Sequence, residues 1–500
     1  MRGVVAAGDE KSAKAAIEIL RAGGNAFDAA CGALLAAPLC EPMLTSLGGG
    51  GFMMASRANG TPRLYDFFVD VPLKRSIEPD FFPIYVDFGG AIQEFHIGAS
   101  SIAVPGMVAG IERVNQELGS MPLSEIIKPA LRYAKEGIYL TPLQASFVKL
   151  LEPILLSTKE AKELYAPNGK LIDEKSKIRN LEYASFLEAF AKEGAKIFYE
   201  GEVAKEIDKI SKERGGEIRY EDLKSYRVYL REPLEFEYYS QRVYTNPPPS
   251  AGGVLIAFIL QLIERDKERD IEYFKDLIES MVVASEFRKS HIDSKLHSPA
   301  IKEALKRVLI EEYRVSKRSR INLWGNTTHI SVIDKFGNGA SVTSTNGEGS
   351  GVVVKSAGIM LNNMLGEEDL NPNGFFKWPA GVRLPSMMAP TIVKSDKGVE
   401  LVLGSAGSNR IRSAIVQVVE NFIKFDMDIQ RAIDEPRLHY ERGELFFEPG
   451  FLKELIELAK RLYRVNEFES KSLFFGGVNG VTGDYKGGAD GRRGGAVLFE

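Results

Sequence analysis

The chain has 500 residues, 44% hydrophobic and 26% charged, with a formal net charge of -4. These proportions belong to a globular protein with enough chain for a large core, and they exclude a disordered or low-complexity protein. Near-neutral charge gives no global pull toward nucleic acid or an anionic membrane, and five scattered histidines without ligand spacing speak against a metal site.

The start, MRGVVAAGDEKS, lacks a basic segment followed by a long apolar run, so no signal peptide is read there and a cytoplasmic protein is expected. Residues 10–22 carry Ala13, Ala16, Ile17 and Leu20 at helical spacing; Asp9 is the expected N-cap and Gly23-Gly24 the stop. A second helix, apolar all round and therefore buried, is expected from Phe27 to Ala37. The apolar stretch Ala29 to Leu39 is too short to span a bilayer and contains Pro38. Cys31 and Cys40 lie in this region and read as buried thiols rather than a disulfide. Four glycines, Gly48 to Gly51, precede a strand at 52–56 and suggest close backbone approach to a neighbour or a substrate.

Residues 63–70 read as a strand, 100–117 and 123–137 as helices, and 145–225 as a charged, mostly helical outer layer. A hairpin is expected at 234–245 and an apolar helix at 254–263, joined by the stiff turn NPPPSAGG; 270–312 reads as helical. The basic run 313–326 has no period and no interleaved aromatics, and is read as an exposed connector rather than a nucleic-acid patch.

Beyond it, 328–334 and 339–346 alternate as strands around Lys335-Phe336-Gly337-Asn338, whose Gly and Asn tolerate the positive φ of a tight turn. Such a hairpin brings Thr345 and Asn346 back beside Thr327 and Thr328. Hydroxyls at the start of one strand and the end of the next suit an N-terminal nucleophile, provided the chain is cut before Thr327. A freed α-amine, with a pKa of roughly 7.7–8.0, can serve as general base for the hydroxyl on its own residue. A Thr-Thr-His run taken alone reads first as a plain strand, and only the rest of the chain turns the reading toward a nucleophile; His329 is expected to pack or bond within the strand.

Extended segments are expected at 352–354, 357–363, 389–394 and 399–403. The last leads through the glycine loop 404–410 into a helix at about 411–424, with backbone N–H groups free to bind an oxyanion. Without Gly-Lys-Ser/Thr this loop is a poor P-loop. Residues 472–499 read as strand-rich.

In combination, GGNAFDAA (23–30), LGGGGFM (47–53), PGMVAG (105–110), PPPSAGG (247–253), TTH (327–329), GSGVVV with GIMLNN (349–363), APTIV (389–393) and GSAGSNRI (404–411) resemble the γ-glutamyltransferase (glutathione hydrolase) family, in the family's own order. The resemblance implies an α+β Ntn-hydrolase fold, a four-layer αββα sandwich, and a precursor cut between Asn326 and Thr327. Segments 1–326 and 327–500 would stay associated as one intertwined unit, and a homodimer is compatible with it. Thr327 would be the nucleophile, Thr345 would bond its α-amine or hydroxyl, and the N–H groups of Gly407 and Ser408 would form the oxyanion hole. No cofactor, metal, nucleic acid or membrane is implied; the partners are a small γ-glutamyl or other acyl amide, and water or an amine as acceptor.

The departures concern substrate. Phe68 stands where the family has a carboxylate-binding arginine. Ser386 matches the first of two substrate-side serines, and Met387 replaces the second. Met364 replaces a glutamine, the acidic residue that follows is Glu367 or Glu368, and Asn346 matches a substrate-binding asparagine across a slightly shorter segment. Charge-assisted bonds to a carboxylate are worth about 1.5–3 kcal/mol each, so the expectation is an amide hydrolase with altered acyl specificity. The competing expectation is an uncut, non-catalytic homologue that binds a ligand.

Overall fold

The computed structural model describes residues 3–87, 92–293, 295–301, 305 and 327–500. Its centre is two antiparallel sheets. The strands that build them are β1 (Gly3–Ala7), β2 (Gly50–Ser56), β3 (Arg63–Phe67), β4 (Tyr229–Arg231), β5 (Leu234–Tyr238), β6 (Gln241–Thr245), β7 (Thr328–Asp334), β8 (Gly339–Thr345), β9 (Thr391–Ser395), β10 (Gly398–Ala406), β11 (Gly477–Thr482), β12 (Gly487–Ala489) and β13 (Ala496–Phe499). The first sheet runs β13-β1-β7-β8-β2-β3-β4 and the second β12-β11-β10-β9-β6-β5. The hairpin β7–β8 therefore sits in the middle of the first sheet.

Alternation along the strands makes the layers. Val5 and Ala7, Met53 and Ala55, and Ile330 and Val332 join one core with the helices α1 (Glu10–Arg21), α2 (Ala26–Cys40), α3 (Met107–Leu118) and α4 (Leu181–Glu193). Val4, Ala6, Phe52, Met54 and Ile333 turn the other way, into the core shared with the second sheet and with α5 (Gly252–Leu262), α6 (Ile271–Phe287), α7 (Arg410–Val419) and α8 (Ile429–Asp434). The result is the αββα sandwich of an α+β protein, as expected.

Local chemistry fixes the ends. Asp9 caps α1, and Asn25 with Asp28 forms a capping box on α2. Helix α2 continues past the expected end through Pro38 to Cys40. Asp334 closes the β7–β8 turn by accepting from the N–H groups of Phe336 and Asn338. Cys31 and Cys40 are free and buried. Among the described residues no helix is long and apolar enough to cross a membrane.

Three expectations need correction. The helix expected at 100–117 starts only at Met107, because Pro105 disfavours helical backbone at the residue before it; instead Val104 pairs with Asp70 across an isolated bridge. The strand at 63–70 ends at Phe67, where the Asp66 carboxylate turns back to accept the Phe68 N–H. Of 357–363 only Ile359–Met360 is strand, since Asn362 spends its side chain on Ala103 and Gly48. The connector 313–326, Asn326 and the end of the 270–312 helix lie outside the described residues.

Candidate active site

Thr328 faces Ser344 and His329 faces Thr343 in the hairpin ladder. Continuing that register sets Thr327 opposite Thr345, one residue from the pairing expected. Thr327 is buried. Parity puts it, with His329 and Ser331, on the face toward the second sheet. That face is polar at this point. His329 bonds Thr343 through Nδ1 at 2.7 Å and Ser331 through Nε2 at 2.9 Å. Burial drives its pKa down to about 3, so the imidazole is neutral.

The sheets are aligned so that the nucleophile end of β7 meets the end of β10. Ser341 donates to the Leu403 carbonyl at 2.8 Å, and a Cβ added at Gly404 would lie 2.3 Å from His329 Cε1. Two residues further along each strand, Thr327 and Thr345 come level with Ala406 and the loop Gly407-Ser408-Asn409. This loop opens α7, and among the described residues the N–H groups of Gly407 and Ser408 donate to no acceptor. Ser408 has a left-handed backbone, φ 51°. Its Oγ donates to Asp369, and Asn409 Nδ2 donates to Asp369 Oδ1 at 2.9 Å and to Glu441 Oε1 at 2.7 Å. Arg288 donates to Asn409 Oδ1 at 3.0 Å.

On the other side, the glycine cluster lets the backbones close up. A Cβ at Gly49 would lie 2.1 Å from the Thr345 carbonyl, and one at Gly50 would lie 3.0 Å from Phe68 Cα. Thr345 Oγ1 accepts from the Gly347 N–H at 3.0 Å, and a Cβ on Gly347 would meet Glu367 Oε1 at 2.3 Å. Glu367 therefore lies within two residues of Thr345 in space. Its Oε1 and Asn346 Oδ1 are buried atoms with no hydrogen-bond partner among the described residues. Burial and the nearby charge of Glu348 hold the Glu367 carboxyl well above its usual range. Burial and Glu441 likewise raise Asp369. Thr327, Thr345, Asn346, Glu367, Gly407 and Ser408 thus gather at one end of the sheet pair, with acids on two sides.

The Gamma-glutamyltranspeptidase family model matches residues 12–499. The chain belongs to that family. It is similar to the glutathione hydrolase proenzyme of Escherichia coli, with 29% identity over 92% of this chain and 85% of that protein. It is also similar to the acylase ACY 1 proenzyme of a Pseudomonas species, with 28% identity over 89% of this chain and 84% of that protein. Its fold matches the crystal structure of cephalosporin acylase from Bacillus halodurans at a TM-score of 0.85 and 23% identity, covering 100% of this chain and 96% of that one. As a gamma-glutamyltranspeptidase family member it is an Ntn amidohydrolase/acyltransferase.

The substrate-side residues of this family member are arranged unevenly. Phe68 is fully buried and stacks on Phe52 with ring centroids 5.3 Å apart. Arg383, near the end of β3, is consumed: Nη1 bonds Asp66 at 2.7 Å and Nε bonds Asp70 at 2.7 Å. Ser386 is buried and turned to its own neighbourhood, Oγ accepting from the Met388 N–H and its carbonyl accepting from Ala251 and Ser250. Sequence reasoning missed Asp369, Asn409 and Glu441 near the loop. Asp369 sits just past the acidic pair considered, and only the fold brings it to Ser408. It also missed Glu41, buried on the opposite face of β7.

Proposed function

We propose that the chain matures by cleavage between Asn326 and Thr327 and then acts as an acyl-threonine amidohydrolase or acyltransferase. The observation that carries this reading is the Thr328–Ser344 pairing at the head of the central hairpin, whose register sets Thr327 opposite Thr345 at the end where β10 enters the Gly407–Ser408 loop. In maturation the Thr327 hydroxyl attacks the Asn326 carbonyl, the acyl group moves from nitrogen to oxygen, and water hydrolyses the ester. That frees an α-amine, near pKa 8 in order of magnitude, beside the hydroxyl.

In turnover the amine takes the hydroxyl proton while Oγ attacks the substrate carbonyl. Thr345, with a lone pair already committed to the Gly347 N–H, donates to the Thr327 amine or hydroxyl. The N–H groups of Gly407 and Ser408 hold the oxyanion, an interaction worth roughly 2.7–4 kcal/mol per donor. The leaving amine departs with the proton from the ammonium, and water or an acceptor amine then attacks the ester.

The donors this site suits are acyl amides bearing an amino group but no free α-carboxylate. Glu367 and Asn346 offer acceptors to an ammonium, whereas Phe68 is apolar and Arg383 is already paired. Ser386 is committed to Met388, Ala251 and Ser250 and offers no second donor to a carboxylate.

The test has two parts. Denatured mass and N-terminal sequencing should give two fragments, the smaller starting at Thr327, and a single intact chain for Thr327→Ala. An uncut wild-type chain under varied pH and temperature overturns the reading and favours a binding protein. Comparison of kcat/KM for a γ-glutamyl anilide and for amino-acyl anilides lacking the carboxylate tests the donor class; a strong γ-glutamyl preference overturns that part.

A further inference from the structure

Ser408 is one of few non-glycine residues with positive φ among the described residues, and it lies in the loop assigned to the oxyanion. A side chain there disfavours the left-handed backbone, because Cβ crowds the carbonyl that follows. Left to itself, such a residue relaxes toward negative φ and re-aims its N–H. Something outside the loop must hold it.

Asp369 is placed to do so. It belongs to a short turn, Glu368–Leu370, from a different part of the chain. One carboxylate oxygen accepts from Ser408 Oγ and the other from Asn409 Nδ2 at 2.9 Å, so a single group grips two successive residues of the loop. Asn409 is fixed from behind by Glu441 at 2.7 Å and Arg288 at 3.0 Å, and the Asp369 carboxylate is the group that ties Ser408 to this frame. The carboxylate faces Glu441, Arg288 and Arg410, whose charges act on it, and its own charge acts on neighbouring Glu367.

We propose that Asp369 is a positioning residue: through Ser408 Oγ and Asn409 Nδ2 it holds Ser408 in the left-handed conformation that directs the N–H groups of the 407–409 loop at the oxyanion. The proposal rests on the reading of Gly407 and Ser408 given above. Asp369 acts through the loop and not on substrate, so its removal lowers kcat and leaves KM in place. A glycine at 408 needs no such grip, since it adopts positive φ without a Cβ penalty.

The experiment is a four-way comparison of wild type, Asp369→Ala, Ser408→Gly and the double variant, assayed on the p-nitroanilide donor that wild type turns over best, with Tm and processing mass recorded for each. Asp369→Ala should lower kcat at least tenfold with KM within twofold, in a protein that is still cleaved and folded. The same replacement made on the Ser408→Gly background should cost no more than threefold. An equal kcat loss on both backgrounds, a rise in KM with kcat unchanged, or no loss at all overturns the proposal. If Asp369→Ala fails to fold, Asp369→Asn, which keeps one acceptor oxygen, is compared on the same two backgrounds with the same criteria. Thr327→Ala in the same assay separates the two levels: activity surviving in that variant overturns the nucleophile reading, whereas loss there with background-independent Asp369 effects overturns only the positioning role.

Discussion

Thr328 donates its hydroxyl proton to Glu41 Oε2 across 2.6 Å, on the face of β7 that points away from the candidate site. Ser12 donates to the other oxygen at 2.9 Å, and Glu41 is fully buried at the end of α2. The residue next to the candidate nucleophile is thus anchored to a carboxyl in the helical core.

Burial, with the charge of Asp9 adding to it, pushes the Glu41 carboxyl up to about 7. A carboxyl raised above its unfolded value contributes stability that is fully present below about pH 4.5 and lost as pH rises through about 7, on the order of 3 kcal/mol in all. Urea unfolding of wild type from pH 4 to 8 should show this fall, and Glu41→Gln should flatten it. A wild-type profile with no fall in that window contradicts the assignment.

His329 fills the seam between the sheets so closely that Gly404 has no room for a methyl group. Gly404→Ala should destabilise by about 1–3 kcal/mol or more through overpacking, read as a lower Tm. Because His329 is neutral with its pKa down to about 3, the pH–rate profile should carry no imidazole inflection between pH 5 and 8.

Arg383 bridges Asp66 and Asp70 under the end of β3, with its side chain almost wholly buried. Arg383→Met should cost about 3–5 kcal/mol, because it leaves the Asp70 carboxylate without its cation and Asp66 with Arg231 alone. Equilibrium unfolding measures this directly. A change below 1 kcal/mol would show that the carboxylates find other partners.

Restoring an arginine at Phe68 should not restore carboxylate recognition. The side chain points into the core against Phe52 and is fully buried. Phe68→Arg should lose about 4 kcal/mol or more, as an unpaired buried cation does, with no fall in KM for a γ-glutamyl donor. Improved binding of that donor in a stable variant would show that the position opens toward substrate.

The local devices were legible in the chain itself. Alternation over 328–345 with Gly337 and Asn338 between implied the hairpin and its register to within one residue, because strand period and turn chemistry are set by neighbours. The glycines at 48–51 implied close backbone approach for the same reason, and the ordered motifs implied the family and its sandwich fold. What tertiary structure alone decided is which distant groups meet. Asp369 reaches Ser408, Glu41 reaches Thr328 and Arg383 reaches Asp66 across separations of 39, 287 and 317 residues. Such contacts depend on how sheets and helices stack, and no periodicity within one segment records that. Phe68 shows the limit: its type was read correctly as apolar, but only the packing of Phe52 against it tells that the side chain belongs to the core.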